Sequence, residues 1–142
     1  MAGYLNPGGG IERPPGGWHD TGDVVEITAD GWITILGRVK RFAKIGGEMV
    51  SLTAAEDLAV GLWPDARHAV VAVPDKRKGE RLILVTDQQH AEVSDLVAHA
   101  KSLGAPELAV PRRVLHATEI PVLGSGKTDY VAIGRIVEAE RD

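Results

Sequence analysis

Residues 37–51 contain side chains that suit an anionic or hydroxyl-bearing partner. Four cations fall within seven residues, at Arg38, Lys40, Arg41 and Lys44. Clustered cations of this kind suit a phosphate, a ribose or a carboxylate. The pair Gly46-Gly47 follows them, and glycine lets the backbone take positive φ or come close to another surface. A solvated basic strand followed by an ordinary tight turn is the structural alternative.

A second candidate is Lys127, in the glycine loop Gly124-Ser125-Gly126-Lys127-Thr128 between a predicted strand and a predicted helix. A lysine on such a loop can bring its ammonium group into a closed site and neutralise charge on a phosphate. Gly-Lys-Thr also ends the phosphate-binding P-loop pattern, but that pattern needs a glycine at position 121. Pro121 stands there and removes a backbone donor. Two interpretations of this loop therefore stay open, a P-loop and a structural turn with a surface lysine.

Three segments, in this order, resemble the carboxyl-terminal part of an acyl-adenylate-forming enzyme: residues 17–23, 37–51 and 121–127. This superfamily includes the acyl-CoA synthetases, the luciferases and the adenylation domains of peptide synthetases. Four stretches are most similar to the branch that joins fatty acids to acyl carrier protein: residues 41–45, 47–52, 106–112 and 123–127. The resemblance covers nearly the whole chain.

The resemblance implies nucleotide-binding roles for Asp23, Arg38 and Lys127. In the family, the aspartate of the Thr-Gly-Asp motif accepts hydrogen bonds from the ribose hydroxyls of ATP, and Asp23 matches it. Arg38 matches an arginine that also approaches the ribose. Lys127 matches the lysine that contacts the acyl carboxylate and the α-phosphate during adenylation. His19 departs from the tyrosine usual there, at a position that is not an expected ligand. An aspartate that merely begins a hairpin is the alternative for Asp23.

The resemblance also implies a hinge at Lys40. Residues 1–39 would be the tail of a missing amino-terminal adenylation domain, and residues 40–142 would be a mobile carboxyl-terminal domain. Rotation about the hinge would bring Lys127 in for adenylation and then present the face around Lys44 for thioester formation. The loop on that thiol side comprises Gly46, Gly47 and Glu48. A β-turn with an exposed lysine is the alternative for this loop.

We therefore expect the longer protein, called the parent below, to use ATP and form AMP with Mg, and to act on a fatty acid. The thiol acceptor would be acyl carrier protein or CoA, and the product would feed lysophospholipid acylation. The family's phosphate loop and its aromatic-Thr-Glu motif are absent from this chain. We therefore expect the chain alone to be inactive and to hold no bound nucleotide. The expected location is cytoplasmic, with the parent either free or associated with the inner membrane.

Composition excludes several other classes of protein. The 142 residues carry a net charge of −4 with both signs interspersed, which argues against a nucleic-acid surface. The chain has no cysteine, so it has no disulfide, thiolate metal site or cysteine nucleophile. Its five histidines share no metal-ligand spacing. No apolar run reaches the roughly 18 residues of a membrane span.

The helices and strands that must position these residues are predicted from the sequence. They form a small α+β domain in which helices cover a short sheet, preceded by a β-hairpin. Residues 1–17 are predicted as loop, residues 23–36 as a hairpin turning at Asp30-Gly31, and residues 42–50 as a strand pair broken at Gly46-Gly47. A helix is predicted to follow, since Thr53-Ala54-Ala55-Glu56 has the spacing of a capping box with Thr53 as the cap.

Further strands and helices follow that helix. Residues 67–73 and 82–85 are predicted strands, the first ended by Pro74. An amphipathic helix over residues 91–103 has five inward positions, Val93, Leu96, Val97, Ala100 and Leu103. A third strand over residues 114–117 leads to a last helix, residues 129–140, with Val131 or Ile133, Ile136 and Val137 facing inward.

Two rival functions come from other classes. The first is a free-standing nucleotide-binding module that uses residues 124–128, which would require the chain alone to bind ATP. The second is a non-catalytic domain that docks a carrier protein through the basic stretch 38–44, which would give salt-sensitive binding to an acidic partner.

Overall fold

In the computed structural model, residues 3–13 and 15–140 are described. The chain divides into two compact units, Met1–Lys40 and Arg41–Asp142. The division therefore falls immediately after Lys40, one residue later than the boundary expected from the sequence. Among the described residues, no helix has both the length and the apolar character needed to cross a membrane.

The first unit begins with a short strand pair where the sequence predicted only loop. β1 (Tyr4–Leu5) pairs antiparallel with β2 (Ile11–Glu12). The turn between them is closed through Asn6, whose side-chain oxygen accepts from the Gly10 amide at 2.8 Å and whose own amide donates to the Gly10 carbonyl at 2.8 Å. An asparagine that bonds local backbone groups in this way stabilises a turn, which composition alone had assigned to loop.

The predicted hairpin is confirmed and is longer than expected. β3 (Asp23–Ile27) pairs antiparallel with β4 (Ile33–Arg38), with a bulge between Val24 and Val25. Gly31 takes a φ of +87° in the turn, a value that favours glycine. The Thr28 hydroxyl donates to the Asp30 carboxylate and accepts from the Trp32 amide, so polar side chains close the turn.

The second unit is the predicted α+β domain. Its elements are β5 (Phe42–Ile45), β6 (Glu48–Ser51), α1 (Leu52–Leu62), β7 (His68–Asp75), β8 (Gly79–Thr86), α2 (Val93–Ser102), β9 (Arg113–His116) and α3 (Tyr130–Ala139). Short 3-10 turns lie at Val39–Arg41 and Glu107–Ala109. The strands form one sheet in the order β6-β5-β8-β7, and β9 pairs parallel with β8. β7 therefore lies at an edge of the sheet.

β8 is apolar without interruption because both faces of the sheet are covered. Leu82 and Leu84 face the cluster under α1 and α2, whereas Ile83 and Val85 face the cluster under α3. All four side chains are at most 1% exposed. Successive side chains of a strand point to opposite faces, so a central strand with two buried faces cannot alternate apolar with polar residues.

Two boundaries differ from the sequence prediction. Helix α1 is capped by Ser51, whose hydroxyl accepts from the Ala54 amide at 3.2 Å, and not by Thr53. Pro74 lies within β7 and does not end it. Proline is tolerated there because β7 is an edge strand and its free side needs no amide donor.

Two inward positions predicted for α2 are also wrong. Leu96 and Ala100 are buried, but Val97 is 43% exposed and Leu103 is 63% exposed. The helix presents only a narrow stripe to α1 and to the sheet, so the outer apolar positions remain in water. In α3 the alternatives resolve in favour of Ile133, which is buried, while Val131 is exposed.

Candidate functional site

Asp23 and Arg38 meet at the open end of the β3–β4 hairpin. They are cross-strand partners, and Arg38 Nε lies 2.8 Å from Asp23 Oδ1. Arg38 Nη1 also donates to the Thr21 carbonyl at 2.6 Å, so the guanidinium is held on two sides. The Asp23 side chain is 19% exposed and that of Arg38 is 64% exposed. This geometry leaves the oxygens of the Asp23 side chain close to the surface, as a hydrogen-bond acceptor for hydroxyl groups would require.

Lys40 is exposed in the 3-10 turn that ends the first unit. The next residue, Arg41, belongs to the second unit. A backbone segment between two compact units is where a hinge would absorb a change in φ and ψ. The hinge role of Lys40 remains a prediction.

Lys44 and the two glycines belong to the tight hairpin of β5 and β6. Gly46 and Gly47 take φ values of +61° and +93°, the combination of a type I′ turn. The glycines thus have a purely conformational reason to be there. Lys44 is exposed and pairs across the hairpin with Met49, which is also exposed, while Ala43 and Ile45 on either side of it are buried.

The turn at Gly46-Gly47 is also held from outside the hairpin. The Gly46 amide donates to the Lys78 carbonyl at 2.8 Å, and the Lys44 amide donates to the Glu80 carboxylate. Lys78 lies in the turn between β7 and β8, and Glu80 lies at the start of β8. Glu48 is exposed at the start of β6. The loop Gly46–Glu48 is therefore a fixed, solvent-facing projection of the sheet.

Lys127 lies on a second closed turn. The Gly126 amide donates to the Leu123 carbonyl, and the Leu123 amide donates to the Lys127 carbonyl, both at 2.8 Å. Gly126 has a φ of +81°, and the Lys127 side chain is exposed. The Gly126 amide, which a P-loop would aim at a phosphate, is here bonded within the turn, and Pro121 has no amide to donate, which disfavours that cradle.

The turn is joined directly to the start of α3. Asp129 caps this helix, accepting from the amides of Val131 and Ala132 at 3.0 Å each. The Asp129 amide donates to the Pro121 carbonyl at 2.9 Å. Lys127 is consequently two residues from a fixed helix end, and its backbone position follows that of α3.

An ionic cluster that the sequence did not reveal lies beside this helix end. Arg41 Nη2 is 2.7 Å from Glu56 Oε1, as an ion pair without the alignment of a hydrogen bond, and the two side chains are 16% and 13% exposed. The Tyr130 hydroxyl is 3.1 Å from both Glu56 oxygens, and the Arg41 guanidinium carbon lies 4.0 Å from the centre of the Tyr130 ring. We call Arg41, Glu56 and Tyr130 the ionic cluster.

The environment of the ionic cluster shifts the pKa of Tyr130. Burial raises the pKa of Tyr130 above its usual value, and the negative charge of Glu56 raises it further. No motif or spacing in the sequence predicts that Arg41, Glu56 and Tyr130 come into contact. Glu56 had been interpreted as half of a capping box, and Arg41 as one of four available cations.

The basic stretch 38–44 is less available than its composition suggests. Arg38 is paired with Asp23, and Arg41 is largely buried against Glu56. Only Lys40 and Lys44 of the four cations are exposed without a carboxylate within ion-pair distance in the described part of the chain. Docking of an acidic partner would therefore engage fewer charges than the sequence implied.

A groove of about 490 Å³ opens beside β8. Its lining combines apolar and charged side chains, including Ile45, Leu82, Arg77, Lys78, Arg81 and Arg112. Hydrogen bonds from the Arg77 and Lys78 amides hold the pKa of Asp75 below its usual range. The Arg112 hydrogen bond similarly lowers the pKa of Glu107. Both acids are thus ionised at neutral pH and offset part of the positive charge.

Metal chemistry has no preformed centre within residues 3–13 and 15–140. No group of three or more histidine, aspartate or glutamate side chains could hold an ion there.

Comparison with known proteins gives a consistent class. No family model matches the chain. The 2-hydroxy-7-methoxy-5-methyl-1-naphthoate–CoA ligase of Streptomyces carzinostaticus is 30% identical over 84% of this chain and 22% of its own length. The solved fatty acyl CoA synthetase of Mycobacterium tuberculosis aligns with a TM-score of 0.67 and 28% identity, over 87% of this chain and 25% of that structure.

A structure of MatB from Rhodopseudomonas palustris with ATP bound shares the fold, with a TM-score of 0.68 and 22% identity over 86% of this chain and 25% of that structure. The relatives and structural neighbours are AMP-forming acyl- and aryl-acid ligases, and the fold is that of a small α+β domain of adenylate-forming ligases. The chain spans about a fifth of the length of the curated relatives that it matches.

Proposed function

We propose that this chain is the carboxyl-terminal part of an ATP-dependent ligase that converts a carboxylic acid to an acyl-adenylate and then transfers the acyl group to a thiol. The observation that carries the proposal is the similarity of nearly the whole chain to about a fifth of much longer AMP-forming ligases. The remaining length of such a parent would supply the phosphate loop and the acid pocket.

The hairpin of the first unit supports the proposal that further structure packs against this chain in the parent. Its cross-strand pairs Val25–Ile35 and Ile27–Ile33 put four aliphatic side chains on one face. Their exposed fractions are between 41% and 67%. A two-stranded ribbon is marginal alone and buries such a face against further structure. We propose that the missing amino-terminal adenylation domain covers it, with residues 1–39 as the tail of that domain and 40–142 as the mobile domain.

In this proposal Asp23 and Arg38 bind the ribose of ATP, and Lys40 is the hinge. Lys127 neutralises the charge that develops at the α-phosphate, since an ammonium on an exposed turn can enter a closed site. After rotation, Lys44 and the loop Gly46–Glu48 would face the incoming thiol. All these residues are at least partly accessible in the isolated chain, as a half-site requires.

The acid and the thiol are finer proposals. A naphthoate ligase and a fatty acyl synthetase are both similar to this chain, so the acid is not decided by the class. We propose a fatty acid, and acyl carrier protein in preference to CoA. This choice rests on the segments that resemble the bifunctional acyl–acyl-carrier-protein synthetase/2-acylglycerophosphoethanolamine acyltransferase, chiefly residues 41–52 and 123–127. The product would then feed lysophospholipid acylation in the cytoplasm, at the inner membrane.

The test separates the two half-reactions in the parent. Adenylation is measured by acid-dependent exchange of pyrophosphate into ATP, and transfer is measured by single-turnover chase of preformed acyl-adenylate with the thiol. Lys127→Ala should lower exchange by about 100-fold or more, the order of loss of one transition-state charge contact, and leave the chase within about twofold. Lys44→Ala should slow the chase and spare exchange. Lys101→Ala, an exposed lysine at the end of α2, is the matched control and should change neither step.

Loss of both half-reactions in equal measure in Lys127→Ala, or no loss in either, would contradict the assigned role. Replacement of acyl carrier protein by CoA in the chase decides the acceptor. A rate with CoA that exceeds the rate with acyl carrier protein would overturn the finer proposal and leave the ligase proposal intact.

A free-standing nucleotide-binding module is the second function to separate. The internal hydrogen bonds of the Lys127 turn and Pro121 both disfavour it. Calorimetric titration of ATP–Mg and of AMP into the 142-residue chain discriminates the two. The half-site proposal requires no measurable heat at micromolar concentrations, whereas saturable micromolar binding would indicate an autonomous site.

A further inference from the structure

The ionic cluster of Arg41, Glu56 and Tyr130 joins two places that the proposed function uses separately. Arg41 directly follows Lys40 and leads into β5. Tyr130 is the first residue of α3, three positions after Lys127. Glu56 lies between them on α1. Residues at the start and near the end of the second unit are thereby held by one carboxylate.

The cluster is also attached to the edge of the sheet. Glu56 Oε1 accepts from the Val70 amide at 2.7 Å, and Arg41 Nη1 donates to the Val70 carbonyl at 3.0 Å. Val70 lies in the edge strand β7, so the two side chains satisfy the backbone groups that a further strand would pair. This attachment fixes the carboxylate of Glu56 relative to the core.

Tyr130 transmits this fixed position to the Lys127 turn. Its hydroxyl bonds to Glu56, and the preceding residue, Asp129, both caps α3 and donates its amide to the Pro121 carbonyl. Thr128 is the residue after Lys127 and forms a bridge with Val122 across the turn. The contacts therefore run from Arg41 through Glu56 to Tyr130, and the two residues before Tyr130 help to close the Lys127 turn through the backbone.

We infer that Arg41, Glu56 and Tyr130 are positioning residues that hold the Lys127 turn at a fixed place relative to the hinge, so that rotation at Lys40 delivers the Lys127 ammonium accurately to the reacting phosphate. The inference rests on the proposed function for the role of Lys127, whereas the mechanical link itself rests on the contacts of the second unit alone. A buried ion pair is a poor source of net stability compared with apolar packing, which leaves fixed geometry as its more effective contribution.

The link is tested first in the 142-residue chain by amide hydrogen exchange. The reporters are the amides of Leu123, Gly126 and Asp129, whose hydrogen bonds close the Lys127 turn. Tyr130→Phe keeps the ring and removes the hydroxyl, and it should speed exchange of these amides by about tenfold, as expected when a hydrogen bond to a charged group is lost. The amide of Leu84, in the central strand, should change by less than about twofold.

Glu56→Gln is the second variant, and Glu138→Gln is the matched control. Glu138 is an exposed carboxylate on the same helix as Tyr130. Glu56→Gln should increase the exchange rates of the turn amides as Tyr130→Phe does, whereas Glu138→Gln should leave them unchanged. If the turn amides exchange at the same rate in all three variants, the cluster does not act on the turn, and the link is overturned. If the exchange rates rise uniformly, including that of the Leu84 amide, the cluster only stabilises the fold, and the link is overturned as well.

The positioning role is tested in the parent with Tyr130→Phe. The kcat of adenylation should fall by about 10–100-fold, the order expected for a small misplacement of a catalytic group. The KM for ATP and the rate of the thiol chase should stay within about twofold. A rise in KM without a fall in kcat, or equal losses in both half-reactions, would overturn the inference. If the unmodified parent does not adenylate any acid, the proposed function fails, and the exchange experiment still decides the link.

Discussion

Replacement of Leu96 by alanine tests the packing of the unit that carries Lys127. The Leu96 side chain is fully buried in the cluster formed by α1, α2 and the sheet. Leucine to alanine removes three carbons, worth about 0.8 kcal/mol each, or about 2.4 kcal/mol of transfer free energy. The cavity left behind adds to this, so we expect a loss of about 2–5 kcal/mol in the free energy of unfolding.

Leu103→Ala is the matched control for this substitution. Leu103 follows α2 directly and has the same side chain, but it is 63% exposed. Its replacement should cost less than about 1 kcal/mol. The two variants are compared by urea unfolding and by thermal melting, followed by far-ultraviolet circular dichroism. A unit of about 100 residues loses roughly 4–8 °C per kcal/mol, so a loss of about 2–5 kcal/mol should lower the melting temperature of Leu96→Ala by roughly 8–40 °C.

The comparison of these two variants can refute the packing described for α2. Equal losses in Leu96→Ala and Leu103→Ala would mean that the helix buries the wider stripe predicted from its sequence. A larger loss in Leu103→Ala would mean that the helix is rotated about its axis.

Three further outcomes follow from the site. Asp23→Asn should change the unfolding free energy by less than about 1 kcal/mol, because its ion pair with Arg38 is at the surface, but should weaken ATP binding by the parent about 10–100-fold in calorimetry. Gly47→Ala should destabilise the chain by about 1–2 kcal/mol in urea, because its φ of +93° is costly for alanine although a Cβ there meets no atom within 4 Å. Alkaline pH should lower stability through Tyr130: burial raises its pKa in the folded chain, so the unfolded chain releases the proton first and stability falls as the pH rises above about 10. The unfolding midpoint should therefore fall less between pH 9 and pH 11 in Tyr130→Phe than in the unchanged chain, because phenylalanine has no proton to release.

Much of the fold follows from local patterns in the sequence. Asp30-Gly31 and Gly46-Gly47 each predicted a turn between strands, and both hairpins are present. The apolar run Leu82–Val85 predicted a buried strand, and it lies in the centre of the sheet. Such features are predictable because turn geometry and two-sided burial constrain residues that are neighbours in the chain.

Other features depend on partners distant in the sequence. Two residues, Ser51 and Thr53, could each cap α1, and the pairing of β6 with β5 up to Ser51 decides between them. The Glu56 side chain then bonds to Val70 and Tyr130 in place of a nearby amide. A capping-box pattern cannot anticipate these contacts, since the competing donors are fixed only by the tertiary fold.

The candidate site is predictable in part for the same reason. Motifs placed Lys127 on a glycine loop and Lys44 just before the Gly46-Gly47 turn, and the structure puts Lys127 on a closed, exposed turn and Lys44 at an exposed position of β5. The pairing of Asp23 with Arg38 depends on the bulge between Val24 and Val25, which shifts the register by one residue and which the turn pattern did not predict. Arg41 had been counted among the available cations, and only the packing of α1 and α3 reveals that it is engaged.

Analysis of the nucleotide products of the parent tests the central claim most directly. The parent is incubated with ATP–Mg, hydroxylamine and a series of aliphatic and aromatic carboxylic acids, and the hydroxamate, AMP, ADP, pyrophosphate and phosphate are quantified. The account predicts acid-dependent hydroxamate with AMP and pyrophosphate in equal amounts, and their loss in Lys127→Ala. Formation of ADP and phosphate, or ATP consumption that no acid stimulates, would contradict it.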